Sequence, residues 1–182
     1  PFIWSRRGMK FVFSQVDFHK TNPYMVTDKD REYMRRAVER ARQSITEGGG
    51  PFGAVVANDE GILSEASNRV VLSHDPTAHA EIIAIRKACE KTGSHNLEGC
   101  TIYCSCEPCP MCLGAIYWAG IKKVCYATDR NDALAAGFSD AAIYGEMLKE
   151  PGQRSIQFVM IGYDDARSVF DEWNNYEEKV PY

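Results

Sequence analysis

Tyr33, Ala37, Ala41 and Ile45 recur every four residues, and Met34 and Val38 widen the same apolar stripe. That spacing predicts an amphipathic helix. Thr27 followed by Asp30 reads as its capping box, and Gly48–Gly50 as its end. Apolar runs over Phe52–Ala57 and Ile62–Val71 predict two strands, with the polar Asn58–Gly61 between them as a hairpin turn. A second helix is expected from near Thr77 to about Lys91. A strand follows over Thr101–Ser105, a helix over Pro110–Ala119 and a strand over Lys123–Thr128. Ala141–Lys149 reads as helical, Ile156–Tyr163 as a last strand and Asp165–Glu178 as a terminal helix. Strands alternating with helices predict an α/β fold, a sheet of about five strands covered by helices.

Nothing in the composition disturbs that picture. The 182 residues suit one domain, and 45% apolar with 25% charged residues is ordinary for a globular chain. The longest apolar runs, such as Ile156–Ile161, fall far short of the roughly 18–20 residues a bilayer span needs. The net charge of −4 argues against a polyanionic partner, because neutralising phosphates takes a basic surface. Residues 1–26 show no secretory pattern and read as an N-terminal extension, in part upstream sequence, before a single domain spanning 27–182. Seven cysteines, an odd number in a chain this long, make a poor disulfide framework and point to a reducing, cytoplasmic setting.

Four of those cysteines crowd into Cys104-Ser-Cys106-Glu-Pro-Cys109-Pro-Met-Cys112, 30 positions after His79 in His79-Ala80-Glu81. Pro110 is well placed at a first helical position, so Cys109 falls near an N-cap and shares a face with Cys112. A helix N-terminus carries partial positive charge, which favours the thiolates a metal requires. His79, Cys109 and Cys112 then offer one nitrogen and two sulfurs, and a fourth tetrahedral position stays open for water, as in catalytic zinc sites. Glu81, two residues from His79, is placed to handle protons rather than to ligate. A structural zinc site on Cys104, Cys106, Cys109 and Cys112, or a thiol redox pair, would leave His-x-Glu unexplained. Cys104 and Cys106 alternate on one strand face and read as buried thiols. His-x-Glu with Pro-Cys-x-x-Cys is the signature of zinc nucleobase deaminases.

The chain resembles guanine deaminases of the cytidine-deaminase-like type, from about Asp28 to Tyr182. The resemblance rests on Gly49-Gly-Pro-Phe-Gly-Ala54, Asp75-Pro-Thr-Ala-His-Ala-Glu81, Ser105 to Ala119 and Ala136-Gly-Phe138. It implies a three-layer α/β/α sandwich, one Zn²⁺ per subunit and hydrolysis of a purine amine. It further implies Glu81 as proton shuttle and Asn68 as a hydrogen-bonding partner of the base. Phe52, Ala80 and Trp118 would line the pocket, and Asp140 would recognise the base and help protonate the leaving amine. Tyr182 would close over the purine, reaching a neighbouring subunit's pocket in a homodimer swapped through its tail.

Two rivals remain at this level. A tRNA adenosine deaminase shares the zinc motif, but acidic residues outnumber basic ones over Asp129–Glu150 and Asp164–Glu178, so nucleic acid is a poor partner. Guanosine, cytosine and other aminated heterocycles stay open. A non-enzymatic zinc-binding assembly module is disfavoured by the presence of Glu81 itself.

Overall fold

Thr27 opens the first helix, α1 (Asp28–Thr46), with the capping box its sequence announced: its hydroxyl accepts from the Asp30 amide while the Asp30 carboxylate accepts from the Thr27 amide. This is a computed structural model, and it describes residues 25–181; residues 1–24 of the N-terminal extension and Tyr182 lie outside them. β1 (Gly53–Asn58) and β2 (Gly61–Ser67) form an antiparallel hairpin. Asn58 closes its turn by accepting the amides of Glu60 and Gly61. A short helix α2 (Val70–Ser73) leads to α3 (Ala80–Thr92), β3 (Thr101–Cys106), α4 (Pro110–Trp118) and β4 (Lys123–Thr128). Then come α5 (Arg130–Ala135), α6 (Asp140–Met147), two single 3₁₀ turns and α7 (Ser168–Asn175).

The four strands form one mixed sheet in the order β2-β1-β3-β4, with β3 and β4 parallel across the α4 crossover. Alternation along the strands feeds two cores. Val55, Ala57 and Tyr103 face α1, meeting Tyr33 and Ala37. Ala54, Val56, Ile102 and Cys104 face the opposite way, against Ala80, Ala84 and Ala88 of α3 and Ile116 of α4. This is the expected three-layer sandwich. The layer under α1 is thin because Gly53 lets the helix in: a Cβ there would lie 2.2 Å from the Ala37 carbonyl oxygen and 2.6 Å from the Ala41 nitrogen. A buried polar anchor fixes the same helix. The Asp30 carboxylate accepts from the Tyr103 hydroxyl at 2.7 Å and from Lys123 Nζ at 2.8 Å.

Three expectations are corrected. The strand expected to continue to Val71 ends at Ser67, because Asn68 turns the chain into α2 through an Oδ1 that accepts the Val70 amide. The unforeseen helix α5 starts at a second capping box, between Asp129 and Asp132. Ile156–Tyr163 forms no strand, so among the described residues the sheet has four strands, close to the expected five or so. Its apolar side chains, Ile156, Phe158, Val159, Met160, Ile161 and Tyr163, are all exposed. Hydrophobicity alone makes a strand only where an edge is in reach, and among the described residues this segment pairs with none. The terminal helix is also shorter than expected, Ser168–Asn175.

Candidate active site

Local sequence brings the three candidate ligand side chains to two helix starts. His79 is the N-cap of α3 and Cys109 the N-cap of α4, with Pro110 next, so both side chains project from chain that has not yet entered a helix. Cys112, in the first turn of α4, is fully buried. His79 Nδ1 lies 3.6 Å from Cys109 Sγ and 3.6 Å from Cys112 Sγ. Zinc with bonds of about 2.3 Å to sulfur and 2.0–2.1 Å to nitrogen, at tetrahedral angles, sets an N···S separation of about 3.6 Å. The donor set and its spacing therefore fit zinc. Cys104 and Cys106 stand apart: Cys104 sits in the core beneath α3, and Cys106 Sγ lies 3.3 Å from the Asp129 carbonyl.

The site is electrostatically primed even so. A hydrogen bond from Cys112 pulls the Cys109 thiol down to about 4 against the cost of burial, and His79 adds to the effect. The same hydrogen bond, with burial, pushes the Cys112 thiol up, and the one with Cys109 raises His79. Glu81 is buried in the first turn of α3, and burial lifts its carboxyl to about 7. A carboxyl titrating there can both take and return a proton near neutral pH. Asp140, first residue of α6, is raised by burial and then by the Cys109 charge.

The remaining predicted residues divide. Ala80 is fully buried behind His79. Asn68 is buried beside the Gly49–Gly50 turn, and its main chain is held at both ends: its amide donates to the Phe52 carbonyl at 2.9 Å and its carbonyl accepts from Ser44 Oγ at 2.9 Å. Phe52 packs at the core's margin, edge-on to Phe138 with ring centroids 4.8 Å apart. Trp118 goes elsewhere. Six residues beyond Cys112 on α4 it is turned about 240° around the axis and advanced about 9 Å. It is 68% exposed. Tyr182 lies outside the described residues.

Three residues that sequence reasoning passed over cluster against the Cys109 turn. Glu107 accepts two guanidinium hydrogen bonds from Arg130, one of them at 3.0 Å, and a third bond from the Arg130 amide at 3.3 Å. The Arg130 guanidinium lies over the Tyr144 ring, 4.2 Å from its centroid. The Tyr144 hydroxyl donates to the Pro108 carbonyl at 3.0 Å. Glu107 was in plain view inside the cysteine motif, whereas Arg130 and Tyr144 had no signal beyond the capping box that begins α5.

The cytidine and deoxycytidylate deaminase zinc-binding region matches residues 27–128, which carry His79, Glu81, Cys109 and Cys112. The chain belongs to that deaminase family. The guanine deaminase of Bacillus subtilis is 48% identical over 151 residues, 82% of this chain and 97% of that protein. Its crystal structure superposes with a TM-score of 0.81, covering 84% of this chain and 98% of that one. A chain solved in complex with 2,6-diaminopurine is 32% identical, with a TM-score of 0.59 over 64% of each chain. The tRNA-specific adenosine deaminase of Aquifex aeolicus is 38% identical over 52% of this chain and 63% of its own length.

Proposed function

We propose that this deaminase hydrolyses guanine to xanthine and ammonia, using one Zn²⁺ per subunit held by His79, Cys109 and Cys112. One observation carries the choice of guanine. The likeness to the B. subtilis guanine deaminase runs over 82% of the chain, whereas that to the A. aeolicus tRNA deaminase covers 52%. The excess takes in sequence outside the shared zinc-binding region, where Asp140 and the tail lie.

Zinc bound there would supply a Lewis acid that brings the pKa of a coordinated water towards neutrality. Glu81, buried beside the ligands, takes the proton of the water that adds to guanine C2 and delivers it to ring N3. The C2–N bond then breaks as Asp140 protonates the departing amine and Glu81 takes the C2 hydroxyl proton, which goes back to Asp140 through solvent, so that ammonia leaves and xanthine remains. Asn68 Oδ1 accepts the Val70 amide at 3.2 Å, which fixes the carboxamide in the orientation from which, in this reading, it hydrogen-bonds the base. A base that leaves this group unpaired would be rejected by up to about 10⁴-fold. Phe52 and Ala80 supply apolar walls.

The 27–182 unit works in this reading as a homodimer whose tail crosses to a second copy. In support, among the described residues β4 pairs with β3 alone, and the apolar side chains of the tail, with Phe170 on α7, are exposed. Such a tail would bring Tyr182 to the partner's pocket. All seven cysteines are free thiols, which supports a cytoplasmic setting. Among the described residues no helix is long and apolar enough to cross a membrane.

The test is ammonia release by zinc-loaded protein from guanine, guanosine, cytosine and a tRNA anticodon stem-loop, with Glu81→Gln as control. Guanine turnover that the control abolishes supports the proposal. Turnover of guanosine or of the RNA with guanine inert overturns it.

A further inference from the structure

The ligand Cys109 and the acid Asp140 sit on different pieces of chain, α4 and α6, that follow each other only after β4 and α5. Something must hold them in register, since α6 has no buried residue and begins without a side-chain cap. The side-chain links between the Cys109 turn and the α5–α6 unit include one guanidinium and one phenol, beside a bond from the Arg130 amide to Glu107 that no substitution of the Arg130 side chain removes. Arg130 forks onto Glu107, two residues before Cys109, and presents its face to Tyr144 on α6. Tyr144 in turn donates to Pro108, the residue adjoining Cys109. The result is a closed loop of contacts from the ligand turn to α5, from α5 to α6, and back to the ligand turn.

The chemistry of the fork matters here. Arginine's planar guanidinium can satisfy a carboxylate bidentately through its edge and stack on an aromatic ring through its face at the same time. Lysine can do only one of these, and with no fixed direction. Glu107 is partly screened from solvent, with its side chain 21% exposed, so the pair is not a fully solvated surface bridge of little worth. Tyr144 lies one helical turn beyond Asp140, at i+4, and therefore on the same face of α6. Pinning Tyr144 to the Pro108 carbonyl thus also points Asp140 at the Cys109 side of the site.

We propose that Arg130 is a positioning residue, clamped between Glu107 and Tyr144, that sets the placement of Asp140 relative to the Cys109 turn and so acts on the reaction through Asp140. This rests on the reading of Asp140 given above. It predicts that Arg130→Lys, which keeps the charge and loses the fork and the stack, lowers kcat/KM for guanine by roughly 10- to 100-fold, the range typical of residues that orient a metal site's working groups.

The test is a double-mutant cycle of Arg130→Lys with Asp140→Asn, reading guanine kcat/KM together with zinc content and amide hydrogen exchange along α6. In the wild-type background Arg130→Lys should cost its full factor, retain stoichiometric zinc and speed exchange over Asp140–Met147. In the Asp140→Asn background it should cost less than about threefold, because the group it positions has gone. An equal cost in both backgrounds overturns the proposal, as does unchanged α6 exchange. If Asp140→Asn is itself as active as wild type, the reading of Asp140 has failed, and with it the role given to Arg130. Should Arg130→Lys not fold, Tyr144→Phe, which removes only the bond to Pro108, takes its place in the same cycle and must show the same background dependence.

Discussion

Asp30 is buried under α1, where its carboxylate accepts from Lys123 Nζ at 2.8 Å, the Tyr103 hydroxyl at 2.7 Å, and both the amide and the hydroxyl of Thr27 at 2.9 and 2.7 Å. Burial opposes its charge, but Lys123, Thr27 and Tyr103 outweigh that cost and hold the carboxyl far below the ordinary aspartate range. Asp30→Asn keeps the shape and removes the charge. Its NH₂ group cannot accept, so either Tyr103 or Thr27 loses its partner, and the Lys123 ammonium faces a neutral amide. A hydrogen bond to a charged group contributes about 1.5–3 kcal/mol, and part of this loss is recovered as Lys123, itself 43% exposed, swings to water. We expect about 2–3 kcal/mol of destabilisation at pH 7, read from equilibrium urea unfolding of the zinc-loaded protein. The pH dependence has a definite sign. A carboxylate whose folded pKa is depressed contributes fully above its unfolded value of about 3.9, and the contribution fades as pH falls below it. The gap between wild type and Asp30→Asn should therefore be constant from pH 7 to about 5 and shrink steadily towards pH 3. A gap under about 0.5 kcal/mol at pH 7, or one unchanged at pH 3, would refute the assignment of Asp30 as the charged anchor of α1.

Other consequences follow from the same geometry. Gly53→Ala should be among the most disruptive small substitutions, costing more than about 3 kcal/mol in urea unfolding, because the added methyl meets Ala37 and Ala41 backbone at 2.2 and 2.6 Å. Glu81→Gln should retain zinc, measured by elemental analysis, while guanine turnover falls by about 10²–10⁴-fold, the usual contribution of a proton-transfer group. Stripping zinc with a chelator should abolish turnover and lower the Tm, and re-addition should restore both; a stripped protein of unchanged Tm would argue against His79, Cys109 and Cys112 as its ligands. Phe138→Ala removes an aromatic pair contributing about 0.5–1.5 kcal/mol, and if Phe52 walls the base pocket the KM for guanine should rise with little loss of folded protein by circular dichroism.

How far the sequence alone reached depended on how local each determinant is. The α1 stripe, the Thr27 capping box, the Asn58–Gly61 turn and Pro110 beside Cys109 are contacts within a few residues, and they appear in the fold where periodicity and cap chemistry put them, except that at the end of the stripe Ser44 is buried and Ile45 exposed. The clustering of His79, Cys109 and Cys112 was legible for a related reason: His79 and Cys109 sit at helix starts, where sequence rules are strongest, and few chemistries call for one imidazole and two thiols together. What the sequence could not decide is set by pairing and proximity between distant segments. Ile156–Tyr163 has a strand's composition, but composition does not supply an edge to bind, and only the topology shows that none is met among the described residues. Trp118 belongs to a motif that suggests a pocket, yet its rotation about α4 sends it to the surface. The clamp of Glu107, Arg130 and Tyr144 joins residues 23 and 36 positions apart, and no periodicity encodes such a contact. Short-range hydrogen bonding and side-chain periodicity are written along the chain, whereas which distant surfaces meet is decided only when the sheet and its two layers of helices close.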